Sequence, residues 1–308
     1  MSPSGAGSPA PRQGLAYVYA LATVLIWSTV ASAFKLTLRE LSVVELLWIA
    51  SATSVLVMAA ILAAQRRLPL LRGLTRRDLL RSAWLGLLNP FGYYLVLFWA
   101  YDLLPAQEAQ TLNYTWAITL SLLSVPLLGQ RLRLVDLAGL VVAYSGALVI
   151  ATRGRVLALE FSQPLGVALA LGSTLIWALY WIENTRDRLD PVLRLLLNFG
   201  FGTVYITVVA VATGARLELP LAGLGGALYV GVFEMGITFA LWIQALKLSR
   251  STARVGILIY LSPFLSLIFI HLLVGEPIYV STIGGLALIV AGIAIQKIPF
   301  GRSAAPPP

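Results

Sequence analysis

Cysteine is absent from the 308-residue sequence and histidine occurs once, at His271. The first absence excludes disulfides, thiol nucleophiles and thiolate metal sites. The second leaves no histidine cluster to hold a metal. There is also no GxxxxGK[ST] sequence to cradle a nucleotide phosphate, so neither metal nor cofactor is expected. Charge is scarce: 11% of residues are Asp, Glu, Lys or Arg, against roughly a quarter in a soluble domain. An intramembrane enzyme would need paired aspartates, an HExxH pair or a nucleophile beside a base. With the aspartates confined to loops, the chain is not expected to be an enzyme.

What is present is apolar sequence, 59% of the chain. Crossing about 30 Å of hydrocarbon takes roughly 20 apolar residues, and ten such runs occur, at about 15–34, 43–64, 79–101, 106–126, 134–151, 164–183, 192–213, 221–246, 253–273 and 278–297. The reading is an all-α integral membrane protein of ten transmembrane helices. These runs leave no room for a soluble catalytic domain, so function must lie within the bundle. Residues 1–13 and 299–308, rich in Ser, Gly, Ala and Pro, are expected to be disordered cytoplasmic tails. The start of the chain lacks the charged region, short apolar core and small-residue cleavage site of a signal peptide. The first run is therefore expected to remain as a helix.

A net charge of +9 points to no nucleic-acid partner, because in a membrane chain the position of Lys and Arg relative to the spans is what matters. With a cytoplasmic amino terminus, 17 of the 22 fall on the inside, among them Arg66, Arg67, Arg72, Arg76, Arg77 and Arg81, and 5 on the outside, Lys35, Arg39, Arg153, Arg155 and Arg216. This bias predicts both termini in the cytoplasm.

The chain also repeats itself. A shift of 150 lays GLAYVYALATVLIW at 14–27 over PLGVALALGSTLIW at 164–177, pairing Trp27 with Trp177. A shift of 146 lays Gly129, Gly139 and Gly146 on Gly275, Gly285 and Gly292, and Tyr114 on Tyr260. Five spans per half force opposite orientations, and the loops are charged accordingly. Asp102 and Glu108 flank the third-to-fourth connection, whereas Lys247, Arg250 and Arg254 occupy its counterpart. Two inverted five-helix repeats are expected, at 14–153 and 154–298. Inverted repeats are an architecture of secondary transporters, with a site at the repeat interface near the midplane. A duplicated structural membrane protein is the plainer alternative.

With five plus five helices, an IW at 26–27 and 176–177, and LLGQRLRLVDLAGLVVAYSGALVI echoed by LLVGEPIYVSTIGGLALIVAGIAI, the chain resembles the EamA-type families of the drug/metabolite transporter superfamily. The resemblance runs from residue 14 to 297 and is specific for fold rather than substrate. Aromatic density and the LNYTW segment at 112–116 make it most similar to the YddG-like exporters of aromatic amino acids. That likeness implies a multi-pass protein of the bacterial inner membrane. It further implies alternating access, with spans 1–4 and 6–9 rocking about the site and spans 5 and 10 supporting them. Many relatives carry an arginine early in the second span; this chain reads VVELLWIA there, so no role for that residue carries over.

Polar and aromatic side chains at helical spacing within apolar spans mark candidate cavity residues, since unsatisfied polar groups avoid lipid. The candidates are Asn89 and Tyr93 in the third span, Asn113, Tyr114 and Trp116 in the fourth, and Trp177 and Tyr180 in the sixth. The eighth span adds Glu234, Thr238 and Trp242, and the ninth Tyr260 and Ser262. Glu234, deep in its span, reads either as a contact for a substrate ammonium or a proton, or as a structural hydrogen bond. Glu45 and His271, nearer span ends, read as structural. Trp84, Tyr101, Tyr279 and Tyr17 read as interfacial belt. Gly139 and Gly146 read as helix-packing positions. Helix breaks are expected at Pro90, Gly92, Ser262 or Pro263, where helix ends would offer donors to a carboxylate.

A sugar-phosphate carrier would need fixed cations in its cavity, and the spans hold almost none. An aromatic cavity with amides and one carboxylate suits a neutral amino acid, aromatic ones above all, or else a drug-like or quaternary ammonium cation held over aromatic faces.

Overall fold

The computed structural model describes residues 12–130, 133–158, 163–185, 187, 189–215, 221–250 and 255–296. Apart from Arg12 and Gln13, the expected tails lie outside these residues, as do Arg131, Arg186, Arg188, Arg216, Arg254, Lys297 and Arg302. Among the described residues every regular element is helical. Eight helices are long and apolar enough to cross a membrane: α1 (Gln13–Thr37), α2 (Val43–Ala64), α3 (Arg76–Leu103), α4 (Ala106–Leu128), α5 (Leu134–Ala151), α6 (Pro164–Asn184), α7 (Pro191–Ala212) and α8 (Gly223–Leu248). Two shorter apolar helices, α9 (Leu258–Val274) and α10 (Val280–Gln296), complete the ten. At 17 residues α10 sits at the short end of spanning helices.

The helices begin and end where local chemistry dictates. Ser42 and Glu45 form a reciprocal capping box at the start of α2, and Thr75 and Asp78 do the same for α3, satisfying donors the first turn leaves open. The structural reading of Glu45 is thus its cap. Asp190 caps α7, with Pro191 at the first helical position. Helices α4 and α9 both stop at a left-handed glycine, Gly129 (φ 66°) and Gly275 (φ 79°), the conformation glycine adopts without a Cβ clash. These two glycines are 146 positions apart.

The packing carries the same symmetry. Helix α5 packs on α10 and α2 on α7; the α3–α6 contact is matched by α1–α8, α4–α6 by α1–α9, and α3–α7 by α2–α8. Exchanging the halves maps each of these contacts onto another of them or onto itself. At the α5–α10 seam, Gly139 lies against the Gly292 backbone and Gly146 against Gly285, reciprocally. That register makes the two helices antiparallel, so the halves run in opposite directions. Helices in lipid gain little by hiding apolar surface from one another, so close backbone approach at small residues supplies the association.

At the end bearing the α2–α3 and α6–α7 connections, buried Arg194 binds Asp187, the Asp78 carbonyl (2.9 Å) and Ser82 Oγ (2.5 Å). Arg67 pairs with Asp190 at 2.7 Å. Burial alone would raise the Asp187 carboxyl. The hydrogen bond from Arg194, the backbone N–H of Leu189 and the nearby charges of Arg194 and Arg81 outweigh it and hold the group below its ordinary value.

Gly146→Val would push a branched side chain into the Gly285 backbone, and is expected to cost about 1–3 kcal/mol or more, read as a lower unfolding temperature in detergent; unchanged stability would contradict the seam. Because Asp187 titrates low in the folded state, its contribution is complete above the ordinary carboxylate range and disappears as pH falls through the folded value. Asp187→Asn is therefore expected to lower the unfolding temperature at neutral pH and to flatten its fall in acid, checked by a pH series of thermal melts.

Candidate functional site

Four helices are interrupted at matching depths. In α3 a wide turn spans Leu87–Gly92, with Asn89 extended (φ −146°, ψ 122°) ahead of Pro90; proline has no N–H to give and pushes its predecessor out of helical geometry. Its counterpart in α8 is a wide turn over Val230–Ile237 containing Gly231 and Gly236. Helix α4 breaks at Tyr114 and Thr115 before resuming at Trp116. There the Thr111 and Thr115 hydroxyls donate to the carbonyls of Gln107 (2.6 Å) and Leu112 (2.8 Å), competing with the helical ladder. The equivalent stretch of α9 is a 3-10 turn, Ile257–Leu261. Breaks were expected at Pro90, Gly92, Ser262 or Pro263; Pro90 and Gly92 lie in the α3 turn, the α9 turn ends just before Ser262, and the breaks in α4 and α8 were not expected.

These interruptions surround a cavity of about 370 Å³, near the lower end of the roughly 300–1,000 Å³ of small-molecule sites. Of the twelve candidates, Tyr93, Asn113, Tyr114, Trp116, Trp177, Glu234, Trp242 and Tyr260 line it. The other four lie behind the wall. Asn89 is fully buried in the α3 break. Tyr180 stacks on Trp177 at 5.6 Å and accepts from Asn198 at 3.4 Å. Thr238 is buried, donating to the Phe233 carbonyl, and Ser262 is buried.

The wall is built of paired rings. Tyr93 stacks on Trp177 with centroids 4.4 Å apart, and across the pseudo-axis Trp27 meets Trp242 at 5.8 Å. Tyr93 donates to Asn113 Oδ1 (3.2 Å), whose Nδ2 donates to Ser173 (2.9 Å), so the amide is oriented on the wall. Glu234 Oε1 accepts from Tyr94 at 3.0 Å, while Oε2 is buried and takes no hydrogen bond. A buried carboxylate whose neighbouring donors, the Tyr94 hydroxyl and the Trp27 indole, are both neutral is short of counter-charge. Among the described residues on the wall none is Lys, Arg or His.

Some lining residues escaped the candidate set. Trp27, marked in the sequence by its pairing with Trp177, lines the cavity, as do Phe34, Trp181 and Phe239; Gln110, which the fourth span offers at helical spacing beside Asn113 and Tyr114, lines it too. Applying the repeat to function as well as topology would have picked out Trp27. Tyr101, read as interfacial, is instead 3% exposed and on the cavity wall; its position near a span end concealed a side chain packed inward against Phe34 at 5.2 Å. Trp84, by contrast, is exposed.

Beyond Tyr101 the cavity is capped by polar contacts, some within the first half and some between the halves. Lys35 of α1 donates to the carbonyls of Tyr101 (2.7 Å) and Leu104 (2.9 Å). The Glu276 carboxylate accepts from the N–H of Ala106 (2.8 Å), and Gln107 donates to the Pro277 carbonyl (2.6 Å) while accepting from the N–H of Tyr279 (3.1 Å). Arg153 pairs with buried Glu108 at 2.7 Å and lies over the Tyr279 ring. His271 bonds the Glu276 carbonyl at 2.9 Å, a structural role.

Two segments, residues 14–152 and 164–296, match the family model described as the EamA-like transporter family. The chain belongs to that family. An uncharacterized protein of Pseudomonas aeruginosa is 33% identical over 221 residues, covering 68% of this chain and 74% of that protein. The aromatic amino acid exporter YddG of Ancylobacter novellus is 27% identical over 232 residues, 72% of this chain and 78% of its own length. A probable terminal-alkyne amino-acid exporter of Streptantibioticus cattleyicolor is 28% identical over 290 residues, 91% and 93% of the two chains. A solved crystal structure matches the fold with a TM-score of 0.63 at 22% identity, over 93% of this chain and 97% of that one. This EamA-like transporter is therefore a membrane transporter of a small-molecule substrate.

Proposed function

We propose that the chain exports neutral amino acids, aromatic ones above all, across the bacterial inner membrane by alternating access, with both termini cytoplasmic. The observation that carries this reading is an aromatic-walled cavity holding one carboxylate, Glu234, and two amides, Gln110 and Asn113. An α-ammonium would meet Glu234, an aromatic side chain would stack between the Tyr93–Trp177 and Trp27–Trp242 pairs, and the carboxylate would take the amides and the donors freed at the breaks in α4 and α9. Two relatives whose names say they export amino acids support it, as does the distribution of Lys and Arg for orientation.

In this mechanism the two walls, α1, α8 and α9 on one side and α3, α4 and α6 on the other, rock about the α5–α10 seam. The contacts of Lys35, Gln107 and Glu276 join the walls at one end and must part before substrate can leave there. A second reading, export of a lipophilic cation, is favoured by the absence of any basic side chain among the described wall residues; it keeps Glu234 and the rings and dispenses with the amides.

In liposomes, counterflow of labelled phenylalanine or tryptophan separates the readings. Uptake of either amino acid, reduced at least tenfold in affinity by Glu234→Gln, is expected, since losing one charge-assisted contact is worth about 1.5–3 kcal/mol. Movement of a quaternary ammonium with neither amino acid would replace the first reading with the second. For the closed end, a cysteine introduced at Leu97 reports without background, the chain having none of its own. Glu276→Ala is expected to raise its labelling by an impermeant maleimide from that side several-fold; no change would show that those contacts do not close the cavity.

A further inference from the structure

Across the α2–α3 connection and the first turns of α3 the chain carries six arginines, Arg66, Arg67, Arg72, Arg76, Arg77 and Arg81, and a single acid, Asp78. Two of the arginines are held within the protein: Arg67 by Asp190, and Arg81 by the Glu183 carbonyl at 2.8 Å. The other four, Arg66, Arg72, Arg76 and Arg77, are exposed, and their side chains make no hydrogen bond or ion pair among the described residues. Elsewhere Lys35, Arg39, Arg133, Arg153 and Arg194 are each held by a carbonyl or carboxylate. Asp78, whose carboxylate accepts from Thr75 N and Oγ1 at 3.0 and 2.6 Å and also pairs with Arg194 at 3.8 Å, can offset no more than one of these charges.

The same segment is apolar on its surface. The short 3-10 turn Leu68–Gly73 buries none of its residues; Leu68 and Leu70 are 43% exposed, Leu71 38%. Leu79, Leu80 and Trp84 continue the bare apolar surface onto the start of α3. Unpaired guanidinium groups beside exposed leucines and a tryptophan match the boundary between phospholipid headgroups and acyl chains. There arginine forks engage phosphate while leucines sink below it.

We propose that residues 65–81 form an interfacial strap that binds the headgroups of anionic phospholipids. Free phosphate would satisfy the arginines but leave the leucines in water, so the apolar surface selects the lipid. The strap leads directly into α3, which lines the cavity through Tyr93 and Tyr101, so bound lipid anchors one end of a cavity helix. The inference is independent of the substrate and of which side the strap faces.

Purified full-length protein in mild detergent is compared with added phosphatidylglycerol, phosphatidylcholine or glycerol phosphate, by native mass spectrometry and thermal unfolding. Phosphatidylglycerol is expected to remain attached and to raise the unfolding temperature. Both effects are expected to be lost in the variant R66Q/R72Q/R76Q/R77Q, whose altered side chains have no partner among the described residues. Should that variant not fold, Arg72→Gln alone is expected to lower phosphatidylglycerol retention at least twofold. Equal retention of phosphatidylcholine, an equal effect of glycerol phosphate, or undiminished phosphatidylglycerol binding by the variants would overturn the proposal.

Discussion

Because transmembrane helices cannot associate by withdrawing apolar surface from water, the meeting of the two halves depends on how closely their backbones approach. Here that approach is made at Gly139–Gly292 and Gly146–Gly285, where a Cβ on either partner would run into the other's backbone. The crossing sets α5 and α10 antiparallel and so fixes the pseudo-two-fold axis. From that axis follow the matched contacts α3–α6 and α1–α8, the matched breaks in α3 and α8 and in α4 and α9, and the position of the cavity between them.

The symmetry extends to the aromatic walls but stops at the polar groups. Trp27 and Trp177 are repeat partners and pack on Phe239 (6.4 Å) and Tyr93 (4.4 Å), themselves 146 positions apart, whereas Asn113 and Trp116 stand opposite Ile259 and Ser262, and the α3 break carries buried Asn89 where that of α8 carries Glu234. A duplicated scaffold thus supplies two similar apolar faces, and a few substitutions make the cavity polar in a lopsided way. A zwitterion, with its charges at one end, suits such a cavity better than a symmetric ligand does.

Much of the architecture was legible from residue spacing. Ten apolar runs, an odd number per half and three glycines at equal separations were enough for the inverted bundle, because lipid enforces span length and glycine marks backbone contact. Eight candidate residues reach the cavity wall for a related reason: a polar or ring-bearing side chain in an apolar helix turns inward. What spacing could not tell was depth. Tyr101 looks interfacial by position yet packs inward, and Asn89, Tyr180, Thr238 and Ser262 have the right chemistry but sit behind the wall. The breaks in α4 and α8 were hidden too, since α4 has neither glycine nor proline at Tyr114 and Thr115 and depends on threonine hydroxyls bonding back to the chain.

The account stands or falls on whether substrate occupies the cavity between the two ring pairs with its ammonium at Glu234. A crystal of the full chain grown with 4-bromophenylalanine would locate the bromine by anomalous scattering. The account predicts one peak within the cavity, near the Tyr93–Trp177 and Trp27–Trp242 rings, with the amino group within hydrogen-bonding distance of Glu234. A peak outside that cavity, or an amino group turned away from Glu234, would contradict it.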